Sequence, residues 1–112
     1  MEPGTEAVRN AIAAFLGPAE RVDRVVPAVG CALVLTNERL LVVREGASFR
    51  PKSGVRDWPL DRDSRIRMAP GAQHRMILER YDRSASVFLT RAQVDDAIDL
   101  INEVHARSQG GS

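Results

Sequence analysis

The residues best suited to chemistry lie in one basic loop, at positions 46–56 (GASFRPKSGVR). The loop carries three cationic side chains, Arg50, Lys52 and Arg56, no acidic residue, and an aromatic neighbour, Phe49. Such a loop predicts weak binding of phosphate or of an anionic lipid surface, because a basic residue near an anionic membrane contributes about 1 kcal/mol. The same residues also fit a solvated hairpin loop that binds nothing.

Two aromatic side chains are candidate anchors for a protein partner. Aromatic residues and arginines are enriched at protein interfaces, and Phe49 and Trp58 lie beside the basic residues in the chain. Trp58 also fits a core position, because its neighbourhood alternates between apolar and polar residues. The candidate ligand- or partner-binding residues are therefore Phe49, Arg50, Lys52, Arg56 and Trp58.

The remaining reactive side chains do not form a catalytic set. His74 and His105 are the only histidines, and His105 lies near the end of a predicted helix, where the helix dipole favours a cation. Cys31, the only cysteine, begins an apolar strand and is expected to be an inert buried thiol. Three aspartates alternate with arginines and are expected to form a solvated charge network: Asp57, Asp61 and Asp63. The sequence predicts a non-enzymatic protein with no metal site and no cofactor.

Length and composition restrict the class of protein. A chain of 112 residues with 44% hydrophobic residues fits one domain, 1–112. The net charge of +1 and the 4% aromatic content argue against nucleic-acid binding. One cysteine allows no internal disulfide, and no signal-like or membrane-spanning stretch is present, so we expect a cytoplasmic location.

Two adjacent apolar runs indicate a hairpin that needs a cover on both faces. They lie in the stretch 31–46 (CALVLTNERLLVVREG), on either side of a turn at 36–39. A half-buried strand alternates apolar and polar residues, and these runs do not. We expect one face to pack in the core and the other to be covered by an N-terminal helix at 5–16, or alternatively by a second copy of the chain.

The other elements follow from periodicity and turn residues. Five further strands are predicted near 20–26, 55–60, 65–69, 74–81 and 86–89. Thr90 and Gln93 form a capping-box pattern ahead of an amphipathic helix at 91–107, with Val94, Ile98, Ile101 and Val104 facing the core. The last residues, 108–112, are expected to be a flexible tail. Short strands joined by tight turns predict antiparallel pairing.

The order of these elements, with the stretches VLTNERLLVV and WPLDR (58–62), resembles the pleckstrin-homology-like fold of small bacterial proteins. The resemblance covers about residues 20–107. It implies a mainly β protein with α-helix: a seven-stranded antiparallel barrel or sandwich capped by the C-terminal amphipathic helix, with the N-terminal helix as an addition. Phosphoinositide-binding members carry basic residues between their first two strands, and the corresponding stretch here, 27–30, has none.

Two functions follow as expectations. The first is an interaction or scaffold domain that binds a protein or peptide along an exposed strand edge, or self-associates as a homodimer through the hairpin. The alternative is a peripheral module that binds anionic lipid head groups or phosphate through loop 46–56. The sequence identifies neither the partner nor the oligomeric state.

Overall fold

The computed structural model describes residues 12, 13, 15–44, 55–71 and 74–109. All seven predicted strands are present in these ranges. They are β1 (Val22–Ala28), β2 (Cys31–Thr36), β3 (Arg39–Arg44), β4 (Val55–Pro59), β5 (Ser64–Met68), β6 (Arg75–Arg80) and β7 (Arg83–Phe88). A 3-10 turn (Arg91–Gln93) leads into one long helix, α1 (Val94–Gln109).

The strands form two antiparallel sheets and not a closed barrel. The first sheet has the order β1-β2-β3-β4 and the second the order β5-β6-β7. The sheets meet at one corner, where the Val29 N–H donates to the Phe88 carbonyl at 2.8 Å. Of the predicted barrel or sandwich, the sandwich is the observed form, because no continuous ladder joins the edges of the two sheets within the described ranges.

The β2–β3 hairpin is buried on both faces, as its lack of alternation predicts. Its inner face contributes Leu33, Leu35, Leu40 and Val42 to the main core. On its outer face a second cluster contains Val34, Leu41 and Val43 together with Ile12, and Leu16 packs against it. The N-terminal segment therefore supplies a cover in cis. Most of the predicted helix, residues 5–11 and 14, lies outside the described residues.

Helix α1 closes the sandwich with a face that differs in one position from the predicted one. Its buried residues are Ala97, Leu100, Ile101 and Val104, whereas Ile98 is 40% exposed. At 3.6 residues per turn, Ile98 lies about 100° around the helix from Ala97. Because the helix packs against the sheets with Ala97 in the interface, Ile98 lies at the border of the buried face. The prediction that Ile98 faces the core is wrong, and Leu100 takes that role.

The two ends of the α1 region are well defined. At the start, the Thr90 N–H donates to Gln93 Oε1 at 2.9 Å, which is the glutamine half of the predicted capping box. At the other end α1 continues to Gln109, so it includes two residues that the sequence assigned to the tail. Ser108 Oγ donates to the His105 carbonyl at 3.2 Å in this last turn. Within the described ranges, no helix has the length and apolarity needed to span a membrane.

Candidate functional site

Of the five predicted binding residues, the structure describes Arg56 and Trp58. Phe49, Arg50 and Lys52 lie outside the described residues. Arg56 is exposed on β4, and Trp58, two residues further along the same strand, is 1% exposed and belongs to the main core. The ring of Trp58 therefore offers little surface to a partner.

Trp58 is covered by an arginine from the other sheet. The guanidinium carbon of Arg83 lies 4.6 Å from the centroid of the Trp58 ring, which is a cation–π distance. Arg83 Nη2 also donates to the Asp57 carbonyl at 3.3 Å. Arg83 therefore links β7 of the second sheet to β4 of the first. The indole Nε1 is buried without a hydrogen-bond partner among the described residues.

A buried ion pair holds the N-terminal segment against the hairpin. The Glu20 side chain is 1% exposed and accepts hydrogen bonds from Arg39 Nε and Nη2, both at 3.0 Å, and from Thr36 Oγ1 at 2.6 Å. Burial by itself raises the pKa of Glu20, but the hydrogen bonds from Arg39, Thr36 and the Gly17 N–H outweigh it, so the pKa is lowered. Arg39 also donates to the Phe15 carbonyl. This arrangement has a structural role and offers no reactive group.

A concave groove lies between β5 and the end of α1. Its volume is about 600 Å³. The lining residues come from the β4–β5 turn, from β5 and from α1: Asp61, Arg62, Ser64, Arg65, Ile66, Arg67, His105 and Ser108. Of the sequence-predicted binding residues that the structure describes, neither Arg56 nor Trp58 lies in this groove.

One wall of the groove is the edge of β5 that faces away from β6. No other strand pairs with this edge among the described residues. Alternate residues of a strand direct their backbone groups to opposite sides. Ala69 N–H donates to the Arg75 carbonyl of β6 at 2.7 Å, so the backbone groups of Ser64, Ile66 and Met68 face away from β6. Among the described residues, Asp61 accepts from the Ser64 N–H. Only some of the backbone N–H and carbonyl groups on this edge therefore have hydrogen-bond partners among the described residues.

His105 occupies the middle of this edge. Its Nε2 lies 2.9 Å from the Ile66 carbonyl oxygen. That is the distance at which the N–H of a neighbouring strand would bind the same oxygen. The imidazole thus marks the position that an added strand would take.

The turn at the end of the groove is held by side-chain contacts. Arg80 Nη1 donates to Asp61 Oδ1 and to Ser64 Oγ, the latter at 3.0 Å. The hydrogen bond from Arg80 lowers the pKa of Asp61. Tyr81 Oη donates to Asp63 Oδ2 at 2.7 Å, and this bond raises the pKa of Tyr81 above 10.0. Asp61 and Asp63 are thus hydrogen-bonded structural groups. Their side-chain partners among the described residues are Arg80 and Tyr81, and not the neighbouring arginines of the predicted charge network.

Two arginines of the groove have no carboxylate partner within the described ranges. Arg62 and Arg65 form no ion pair there, whereas Arg67 Nε lies 3.3 Å from Glu79 Oε1. Both residues of that pair are substantially exposed. The groove therefore has a cationic rim.

The described residues contain neither a cluster of metal ligands nor an activated nucleophile. No group of three or more histidine, cysteine, aspartate or glutamate side chains is placed to hold a metal ion there. Burial raises the pKa of the Cys31 thiol, which disfavours the nucleophilic thiolate.

Solved structures show which fold this is. One similar structure is a pleckstrin-homology domain from Shewanella amazonensis, with a TM-score of 0.61 and 16% identity over 90% of this chain and 94% of that one. The chain has the pleckstrin-homology-like fold. Another is a DUF1696 family protein with a pleckstrin-homology domain from Shewanella loihica, with a TM-score of 0.65 and 14% identity over 92% and 98% of the two chains. No protein-family model and no curated protein matches the sequence.

The groove of this pleckstrin-homology-like domain was not predicted from the sequence. A usable signal was present, because Arg65-Ile66-Arg67-Met68 alternates cleanly and therefore presents two arginines to solvent. Nothing in the sequence places His105, 39 residues further along the chain, against Ile66. That contact depends on how α1 docks.

Proposed function

We propose that this domain is a non-enzymatic interaction module that binds an extended segment of a protein partner as an added strand on the free edge of β5. The observation that carries the proposal is the groove of about 600 Å³ between that edge and α1. Edge strands with unpaired backbone groups are templates for strand addition.

The backbone chemistry of β5 supports this mode of binding. Backbone groups of Ser64, Ile66 and Met68 are directed away from β6, and His105 already acts as a substitute donor to one of them. An added strand replaces this single bond with several backbone bonds, and the histidine ring moves aside. Each backbone bond contributes about 0.5–1.5 kcal/mol net, so a short segment gains modest affinity.

Self-association through the hairpin is less favoured than strand addition. Its outer apolar residues, Val34, Leu41 and Val43, are already packed against Ile12 of the same chain. A second copy would have to displace that segment before it buried the same surface. The lipid alternative depends on loop 46–56, of which residues 46–54 lie outside the described ranges, and it stays a prediction that sedimentation with anionic vesicles tests.

The proposed function is tested with peptides selected for binding to the purified domain. Random ten-residue peptides are displayed and selected, and a bound peptide is mapped by amide chemical-shift changes on the labelled protein. We expect the largest changes at residues 64–68 and in the last two turns of α1. Mapping to another surface would contradict the proposal.

Methylation of the peptide backbone supplies a matched control for strand addition. Two versions of the selected peptide carry N-methyl groups at alternate residues, one set in phase with β5 and the other out of phase. Binding should be lost only by the version in which N-methyl groups replace the N–H groups that face β5. The N–H groups methylated in the other version point to solvent, so that version should still bind. Equal binding by both sets would show that no strand is added.

A further inference from the structure

We infer that the segment bound at β5 carries acidic side chains at two alternate positions, opposite Arg65 and Arg67, with an uncharged residue between them. This inference rests on the proposed function and specifies its partner class. It follows from the faces of the second sheet and from the charges that they carry.

The alternation of β5 decides which side chains an added strand would meet. Ile66 is 2% exposed and faces the core, so Arg65 and Arg67 lie on the opposite, outer face of the sheet, where both are exposed. Side chains directly opposite each other on paired strands have Cβ atoms about 4.5–5.5 Å apart. Two residues of the bound segment, at positions i and i+2, are therefore direct neighbours of the two arginines.

The outer face of this sheet has a surplus of positive charge. Met76 and Leu78 of β6 are buried in the core, so the residues between and beside them belong to the outer face. Among the described side chains, this face carries three arginines: Arg65, Arg67 and Arg75. It carries one carboxylate, Glu79, so its net charge is +2 (3 − 1). Glu79 stands opposite Arg65 and also binds Arg67, so it neutralises one arginine at most.

The residue between the two acidic positions meets a different environment. It stands opposite Ile66 and points to the inner side, towards His105 and Ser108 of α1. The Ile66 side chain on this side is buried, and an uncharged residue packs against it without the desolvation that a charge would undergo. The pattern is therefore acidic, uncharged, acidic.

The expected selectivity is moderate. An opposite-charge cross-strand pair contributes roughly 0.2–1 kcal/mol, which converts to about 1.4- to 5-fold in affinity. Two pairs together give about 2- to 25-fold. Exposed charges are screened by salt, so the preference should shrink at about 300 mM salt.

Three synthetic probes test the inference by fluorescence anisotropy. The first is Thr-Thr-Val-Glu-Val-Glu-Val-Thr-Thr with an N-terminal fluorescein, and the other two replace both glutamates with glutamine or with lysine. The full-length domain should bind the glutamate probe about 2- to 25-fold more tightly than the glutamine probe and bind the lysine probe most weakly. Amide shift mapping with each probe records whether β5 is the site.

A charge-reversal variant shows which residues cause the preference. The double substitution R65E R67E should remove the preference for the glutamate probe and favour the lysine probe. The matched control, R44E R91E, changes the net charge by the same amount at two exposed arginines outside the groove. It should keep the wild-type order. Thermal unfolding of both variants verifies that each is folded.

The outcomes separate the inference from the proposed function. Glutamate and glutamine probes that bind β5 equally overturn the inference and leave strand addition standing. Probes that all fail to bind at β5 overturn both. A further experiment measures binding of the domain to vesicles of phosphatidylcholine with about 30% phosphatidylserine. If they bind through Arg65 and Arg67 while the glutamate probe does not, the surface is a membrane contact and the inference is wrong.

Discussion

At the scale of single residues, Glu20 illustrates how one buried carboxylate joins two segments. Its oxygens accept hydrogen bonds from Arg39 and Thr36 of the hairpin and from the Gly17 N–H of the N-terminal segment. The N-terminal segment is thus attached to the hairpin by a charge pair as well as by apolar packing. Composition and periodicity do not indicate this pairing, because Glu20 and Arg39 are 19 residues apart.

The substitution Glu20→Gln should destabilise the fold by about 2–3 kcal/mol at pH 7, because it leaves the Arg39 guanidinium without its charged acceptor. The pKa of Glu20 is lowered in the folded state from its usual 4.5. Its contribution is therefore present above pH 4.5 and is lost as the pH falls towards the folded pKa. Urea unfolding of both proteins at pH 7 and pH 3 measures this. A stability difference of the same size at both pH values would contradict the prediction.

At the scale of elements, the rotation of α1 about its axis is the feature that sequence periodicity predicted wrongly, at Ile98. Val94, Ile98 and Ile101 form an apolar stripe in the sequence, and so do Ala97, Leu100 and Val104. The two stripes overlap on one side of the helix. Packing against the sheets therefore decides which residues at the borders of this apolar side are buried. The strands, by contrast, follow the predicted positions to within a few residues, because turn residues delimit them locally.

Two substitutions in α1 test the observed rotation. Leu100→Ala should cost about 2–5 kcal/mol of unfolding free energy, because it leaves a cavity in the core. Ile98→Ala, its matched control, should cost less than about 1 kcal/mol, because Ile98 is already 40% exposed. Denaturant unfolding compares them. The reverse order would support the helix face predicted from the sequence.

The cover over the hairpin is tested at the same scale. Ile12 is fully buried on the outer face of the hairpin. Ile12→Ala should therefore destabilise the domain by about 2–4 kcal/mol. The control Val29→Ala removes an aliphatic side chain that is 54% exposed, so it should change the stability by less than about 0.5 kcal/mol. Thermal unfolding with light scattering measures stability and oligomeric state together. An Ile12 variant as stable as wild type would rule out the cover.

At the scale of the whole molecule, the sandwich is completed by side chains and a helix where its two sheets are not joined by backbone. Helix α1 packs against both β1 and β5, and its Arg107 donates to the Thr36 carbonyl at 2.9 Å. Arg83 of β7 covers Trp58 of β4 and so adds a side-chain contact between the two sheets. In the part of the chain that the structure describes, no strand pairs with the outer edge of β5, where strand addition is proposed.

Trp58 is the only tryptophan, so the fluorescence of the protein reports directly on its contact with Arg83. In the folded domain its fluorescence should be blue-shifted and poorly quenched by acrylamide. The substitution Arg83→Ala should increase the quenching and cost about 0.5–1 kcal/mol, because it removes the cation–π contact and admits water to the ring. Arg91→Ala, at an exposed arginine elsewhere, is the control. Unchanged quenching in the Arg83 variant would show that the arginine does not shield the ring.

The sequence by itself determined the features that depend on neighbouring residues. These are the seven strands, the amphipathic closing helix and the hairpin that is apolar on both faces, because turn residues and side-chain periodicity act over a few positions. The tertiary structure alone decided that Trp58 is covered, that Leu100 replaces Ile98 in the core, and that His105 meets Ile66. These contacts join residues far apart in the chain, and only the docking of α1 and of the two sheets brings them within reach.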